Sequence, residues 1–328
     1  MKNKRMNSQM KKAGLGLLAG VLTPGAAWAC ACGCGVFEVG TSSMLPEGPG
    51  GMGFLTYAFQ DQNQNWSDSS KAPAANNDDK EIRTDFMSAG LQYMFNRSWG
   101  VEAELPFAYR NFKTVTANPN VPANTVTSVN WWSLGDIRIH AIYTGFSPDL
   151  SSGLDLGLKL PTGSFSHENA YDDVDRDSEI GTGSTDILLG GFHRGNFGPN
   201  QNFGWFVQAE ADLPVLTQAD YRPGFELDAA AGVDYHGFSL GRLKISPLAQ
   251  VIFSERTRDL GNDAAGGAND GNNGENSGYT RVLLSPAIEL HLHPVILYAD
   301  VEVPVFVHVT GNQLVAPVLF KLNLTYMF

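Results

Sequence analysis

Cationic side chains are scarce in this sequence. Lys and Arg number 22 against 34 Asp and Glu, giving a net charge of −12. A surface this short of cations makes phosphate-backbone binding unfavourable, so nucleic acid is not the expected partner. Cysteine is almost missing: three residues, all between positions 30 and 34 of a 328-residue chain that is too long for a disulfide-stapled miniprotein. Beyond residue 29 no apolar run reaches about 18 residues, which excludes an ordinary helical membrane protein. Disorder is excluded too, because 43% of the chain is hydrophobic and it carries 19 Phe, 10 Tyr and 6 Trp. With 36 Gly and 17 Pro beside so few Lys and Arg, a helical bundle is disfavoured.

The opening is different in character. Lys2, Lys4, Arg5, Lys11 and Lys12 precede an apolar stretch from Ala13 to Leu22, and Ala27-Trp28-Ala29 supplies small residues at the two positions a signal peptidase reads. Residues 1–29 read as a secretory signal peptide. Their removal takes five cations and no acid from the net −12, leaving −17. The expected organisation is a signal peptide over 1–29, a cysteine-bearing periplasmic segment over 30–50, and a β-barrel over 51–328 in the outer membrane of a Gram-negative bacterium.

The barrel expectation rests on period two. Phe225, Leu227, Ala229, Ala231, Val233 and Tyr235 alternate with Glu226, Asp228, Ala230, Gly232, Asp234 and His236, a division that a helix would smear around its circumference. Trp205, Val207, Ala209, Ala211 and Leu213 alternate in the same way with Gln208, Glu210 and Asp212. Twelve such segments lie near 52–60, 83–95, 100–110, 134–146, 154–162, 185–194, 204–214, 225–236, 243–254, 279–292, 295–306 and 317–328. Longer connectors, 61–82, 111–133, 163–184, 215–224, 255–278 and 307–316, alternate with shorter turns, the asymmetry of an all-β, twelve-stranded antiparallel transmembrane barrel. A soluble two-sheet sandwich also alternates, but explains neither that asymmetry nor the final strand.

Aromatic residues gather at strand ends, as interfacial girdles require. Tyr93, Phe95, Trp99, Phe146, Trp205, Tyr235, Tyr326 and Phe328 are expected at the periplasmic rim, and Phe107, Tyr109, Trp131, Trp132, Phe253 and Tyr279 at the outer one. The last strand, with Val318, Phe320, Leu322, Leu324, Tyr326 and Phe328 on one face, resembles the C-terminal signal read by barrel-assembly machinery.

Five short segments carry a family resemblance: Glu104-Leu-Pro-Phe107, Leu134-Gly-Asp-Ile-Arg138, Leu158-Lys-Leu-Pro-Thr-Gly163, Gly181-Thr-Gly-Ser-Thr-Asp186 and Glu302-Val-Pro-Val305. They resemble the recurring segments of the outer-membrane transporter-like barrels labelled "MetA-pathway of phenol degradation". That resemblance implies passage of small, often aromatic, compounds and supplies no catalytic residues. Two of these segments also belong to a weak internal repeat, Glu102-Ala-Glu104-Leu-Pro106, Glu210-Ala-Asp212-Leu-Pro214 and Asp300-Val-Glu302-Val-Pro304. Each places two carboxylates on the lumen face, then a proline that ends or bulges a ladder because it lacks an N–H.

Asp136, Asp186, Glu226 and Asp228 extend these acids into a band around the outer half of the lumen, with Arg138, Lys159, Arg281 and Lys321 as the fewer inward cations. Two readings stay open: a cross-lumen ion-pair network filling a narrow barrel, or a wet constriction favouring cations. Barrels of about eight strands fill with side chains and those of sixteen or more leave a wide channel, so twelve permits a narrow pore. The expected function is an outer-membrane channel for small, aromatic or hydrophobic, solutes through an acidic lumen.

The alternative function is a non-transporting barrel whose Cys30-Ala-Cys32-Gly-Cys34 terminus binds Cu(I) or zinc, or docks a periplasmic redox partner. Disulfide formation and lipidation of Cys30 are competing uses of the same thiols. The Asp173-Val-Asp175-Arg-Asp177 run has the opening cadence of a calcium loop but lacks its glycine and its bidentate Glu. None of the seven histidines is followed two residues later by Ser, and no nucleophile, base and oxyanion donor cluster in the sequence, so the chain reads as a non-enzyme. Expected partners are outer-membrane lipid and lipopolysaccharide, the assembly machinery and a small-molecule solute.

Overall fold

The computed structural model describes residues 40–328 apart from 42, 43, 47, 117, 172 and 262–275. Twelve antiparallel strands close into one barrel. They are β1 (Gly50–Gln62), β2 (Asp79–Met94), β3 (Trp99–Val115), β4 in two segments (Val126–Leu134 and Ile137–Tyr143), β5 (Ser152–Leu160), β6 (Ser184–Phe197), β7 (Phe203–Thr217), β8 (Glu226–Tyr235), β9 (Leu243–Arg256), β10 (Tyr279–Leu292), β11 (Val295–Val315) and β12 (Leu319–Met327). Each strand pairs with its sequence neighbours, and β1 pairs with β12 from Met52↔Met327 to Gln60↔Leu319, which leaves no open edge. Among the described residues no helix is long and apolar enough to cross a membrane.

Alternation fixes which face is wet. Along β12, Leu319, Lys321, Asn323 and Thr325 are buried inside, while Phe320, Leu322, Leu324 and Tyr326 are exposed outside. The outer wall is a continuous apolar belt: Leu55, Leu91, Leu105, Ile139, Leu156, Leu189, Val207, Val251, Ile288 and Leu297 all face outward at 40–58% exposure. Exposed leucines at this density are explained by lipid, not water.

The end at which β1 begins and β12 finishes carries the tight connections, and the backbone there is tied by reciprocal Gly51–Phe328 hydrogen bonds of 2.9 and 2.8 Å. Its rim is ringed by touching aromatic pairs, Tyr93–Phe95, Trp99–Tyr143, Tyr143–Phe146, Phe203–Tyr235 and Tyr235–Phe238. At the opposite rim two expectations are corrected. Trp131 and Tyr279 point inward, at 8% and 5% exposure. Period two requires it, because Trp131 and the outward Trp132 are consecutive, and Tyr279 shares parity with the inward Arg281.

Two expected connectors are also corrected. Within 111–133, β3 runs on to Val115 and β4 begins at Val126, the two pairing from Phe107↔Leu134 to Val115↔Val126. Within 307–316, β11 continues to Val315 and pairs above the rim with Gln64–Asp68. Both segments turn apolar residues inward, such as Phe112, Trp131, Val307 and Val309, and polar ones outward, such as Ser128, Asn130 and His308, the reverse of the membrane-type alternation.

The prolines of the repeat mark irregularities in the ladders. At Pro214 and Pro304 the register slips by one residue, so that Val215-Leu216 and Val305-Phe306 both point outward. At Pro106 the partner strand itself breaks: Glu104 pairs with Arg138 and Phe107 with Leu134, while Gly135 and Asp136 leave the ladder. An amide without N–H cannot complete the ladder there, and a bulge or break absorbs the gap.

Candidate functional site

The lumen is partly solid. Phe206, Ala230, Leu248, Ile252 and Leu283 from β7 to β10 pack against Ala316 and Leu319 across the interior, forming a dry apolar wall. At the outer end Ile82, Phe112 and Trp131 pack with Leu314 of the β11 extension and with Val174, which the 161–183 connector folds into the mouth. Between these lies a cavity of about 220 Å³, lined by nine carboxylates but only four Lys and Arg side chains, together with Phe86, Phe107 and Phe192.

The charged residues expected to line the lumen face inward, and all but Asp136 fall into three groups. On one wall Lys159 is ion-paired to Asp186 on the adjacent strand and lies 2.6 Å from Asp212 two strands away. Arg138 reaches Glu210 at 3.6 Å across the intervening strands. Glu102 accepts a 2.7 Å hydrogen bond from the Gln92 amide, and Glu104 lines the same cavity. On the opposite wall Lys321, fully buried, sits 3.3 Å from Glu302 and 3.9 Å from Asp300. A third group lies nearer the outer mouth, where the Tyr279 hydroxyl donates to Glu226 at 2.6 Å and accepts from Arg281 at 3.1 Å. Register places Asp228 directly opposite Glu210 and Glu226 directly opposite Asp212, so like charges face each other on β7 and β8, an unfavourable arrangement without a counterion.

Asp136 has a different position from the rest. Its carboxylate accepts hydrogen bonds from the Gly163 N–H at 2.9 Å, the Thr182 N–H at 2.8 Å and the Thr182 hydroxyl at 2.5 Å, fastening both ends of the 161–183 connector. Gly163 and Gly181 touch there; a Cβ on Gly181 would fall 2.3 Å from the Gly163 carbonyl carbon. Three of the resembling segments, Leu134–Arg138, Leu158–Gly163 and Gly181–Asp186, thus meet at this one junction. The connector then dips into the mouth, where the buried Arg110 guanidinium donates to the carbonyls of Ser178 at 2.5 Å and Glu179 at 3.1 Å. Arg176 lies over the Phe165 and Tyr221 rings at 3.9 and 4.6 Å.

At the other end the chain before β1 enters the barrel. The Gly40 N–H donates to the Gln208 side chain at 3.3 Å, and its carbonyl lies 3.0 Å from the Tyr298 hydroxyl. Gln92 and Arg194 donate to the carbonyls of Met44 and Pro46 at 3.2 and 2.6 Å. Leu45 is buried. The described part of the N-terminal segment therefore occupies the periplasmic half of the lumen, held from β2, β6, β7 and β11. The signal peptide and Cys30, Cys32 and Cys34 lie outside the described residues.

Arg110, Asp155 and Tyr298 were not singled out in the sequence. Parity offered a signal for some: Arg110 follows Glu102 and Glu104 on the same face of β3, and Asp155 precedes Lys159 on β5.

No family model matches the sequence, and no curated protein matches it. Among solved structures, the COG4313 outer membrane channel from Pseudomonas putida F1 superposes with a TM-score of 0.60 at 11% identity, over 89% of this chain and all of that one. The β domain of the Bordetella autotransporter BrkA gives 0.48 at 14% identity, over 85% of this chain and all of that one. The chain has the fold of an outer-membrane barrel. With its apolar belt, the barrel sits in the outer membrane of a Gram-negative bacterium.

Proposed function

We propose that this barrel is a channel that passes small solutes, preferring cations, through the cavity between its apolar and charged walls. The observation that carries the reading is the lining of that cavity, nine carboxylates against four permanent cations. Ion pairs such as Lys159–Asp212 and Arg138–Glu210 narrow the lumen, and the surplus acids set its sign. Both readings of the sequence meet in this one arrangement. Phe86, Phe107 and Phe192 give the cavity aromatic surface beside the charge, which suits small compounds with an apolar body, the class the family resemblance implies.

Planar-bilayer recordings test this. The wild-type barrel is expected to favour K⁺ over Cl⁻ in a salt gradient, and a Glu102→Gln, Glu104→Gln, Glu210→Gln triple variant to lose most of that preference. An unchanged reversal potential in the triple variant removes the acids from the proposed role. Swelling of proteoliposomes in aromatic amines but not in sugars of similar size checks the solute class.

A further inference from the structure

We propose that His140, Asp155 and Glu210 form a lumenal binding site for a divalent transition-metal ion. Their ligand atoms, one imidazole nitrogen and two carboxylate oxygens, all lie within 4.8 Å of one another. Three such ligands with an open face toward the cavity are the donor set that zinc and its first-row neighbours take, at roughly 2.0–2.2 Å per bond. Two of the three are already close, His140 Nδ1 and Asp155 Oδ1 lying 3.2 Å apart.

The backbone is shaped for this meeting. Asp155 and Glu210 stand on β5 and β7, with β6 between them, and their shared register partner is Gly190. A Cβ at Gly190 would lie 2.2 Å from an Asp155 carboxylate oxygen, so the absent side chain is the space the carboxylate fills to approach Glu210. The same device recurs one strand away. His140 is paired with Gly157, where a Cβ would lie 2.7 Å from the imidazole Nδ1. Two glycines thus cradle two of the three ligands.

The electrostatic setting also asks for a cation. Glu102 is the register partner of His140, and Asp228 faces Glu210 directly. Arg138 is the nearest permanent positive charge, 3.6 Å from Glu210. The Gln92 amide donates to Glu102, while its own buried oxygen has no partner among the described residues and borders the same cavity. Desolvated carboxylates in this number are stable when a bound cation or water balances them.

This site lies on the proposed conduit but is tested without conduction. The full-length barrel carrying Cys30→Ser, Cys32→Ser and Cys34→Ser, purified in detergent, is titrated with Co²⁺ and Zn²⁺ by calorimetry and by cobalt d–d absorption. One ion per chain is expected, with no thiolate charge-transfer band. Asp155→Asn, Glu210→Gln and Gly190→Ala should each weaken binding about tenfold or more. Retained heat-modifiable migration on gels shows that each variant is a folded barrel. Absence of binding by the cysteine-free protein, or affinity unchanged by all three substitutions, overturns the site. Equal affinity for Mg²⁺ overturns the assignment to a transition metal. A barrel that binds Co²⁺ but conducts nothing retains the site and loses the channel.

Discussion

Lys159 shows how the interior depends on single charges. Its ammonium is nearly buried and holds Asp186 and Asp212 together, the first of them fully buried. Lys159→Ala leaves two carboxylates facing each other in a desolvated wall, and a broken buried pair costs about 3–5 kcal/mol. The expected result is a large fall in the urea midpoint, largely restored when Asp186→Asn and Asp212→Asn are added. At this scale the sequence was legible in part. Inward parity could be counted for Glu102, Glu210 and Asp228, because alternation alone decides it. The approach of Asp155 to Glu210 could not, because it depends on a glycine in an intervening strand whose alignment no local pattern reveals.

Among the elements, the 161–183 connector carries the most information. Its two ends are fastened by Asp136, and Ser178 and Glu179 near its second end are held by Arg110. Asp136→Ala removes three hydrogen bonds to a charged acceptor, each worth about 1.5–3 kcal/mol. Limited proteolysis within 161–183 should accelerate at least about tenfold, with the barrel core intact; equal rates would show that the junction does not hold the connector. All twelve strands were legible from their alternation, since lipid on one side and water or packed charge on the other enforce period two. The extensions of β3, β4 and β11 above the membrane were not, because there the outward face is polar and the inward face apolar, opposite to the pattern that lipid enforces. Asp136, which reads as one more lumen acid, is distinguished only by the backbone amides that converge on it.

At the scale of the whole molecule, twelve strands enclose far less open space than their number allows. The apolar wall from Phe206 to Leu319 fills one side, the inserted connector narrows the outer mouth, and Gly40, Met44, Leu45 and Pro46 lie in the periplasmic half. Conductance should therefore be small. Replacing residues 40–46 by Gly and Ser at constant length, which removes the buried Leu45 and Pro46, should raise it severalfold in single-channel records. No change would mean that ions bypass the segment. The anchoring of Gly40 to Gln208 and Tyr298 also sets a leash. Ten peptide steps lead from Cys30 to Gly40 and reach at most about 36 Å even at full stretch, so a metal or partner held by the three thiols would stay within about one barrel's length of this anchor, at a local abundance fixed by the tether and not by the surrounding fluid.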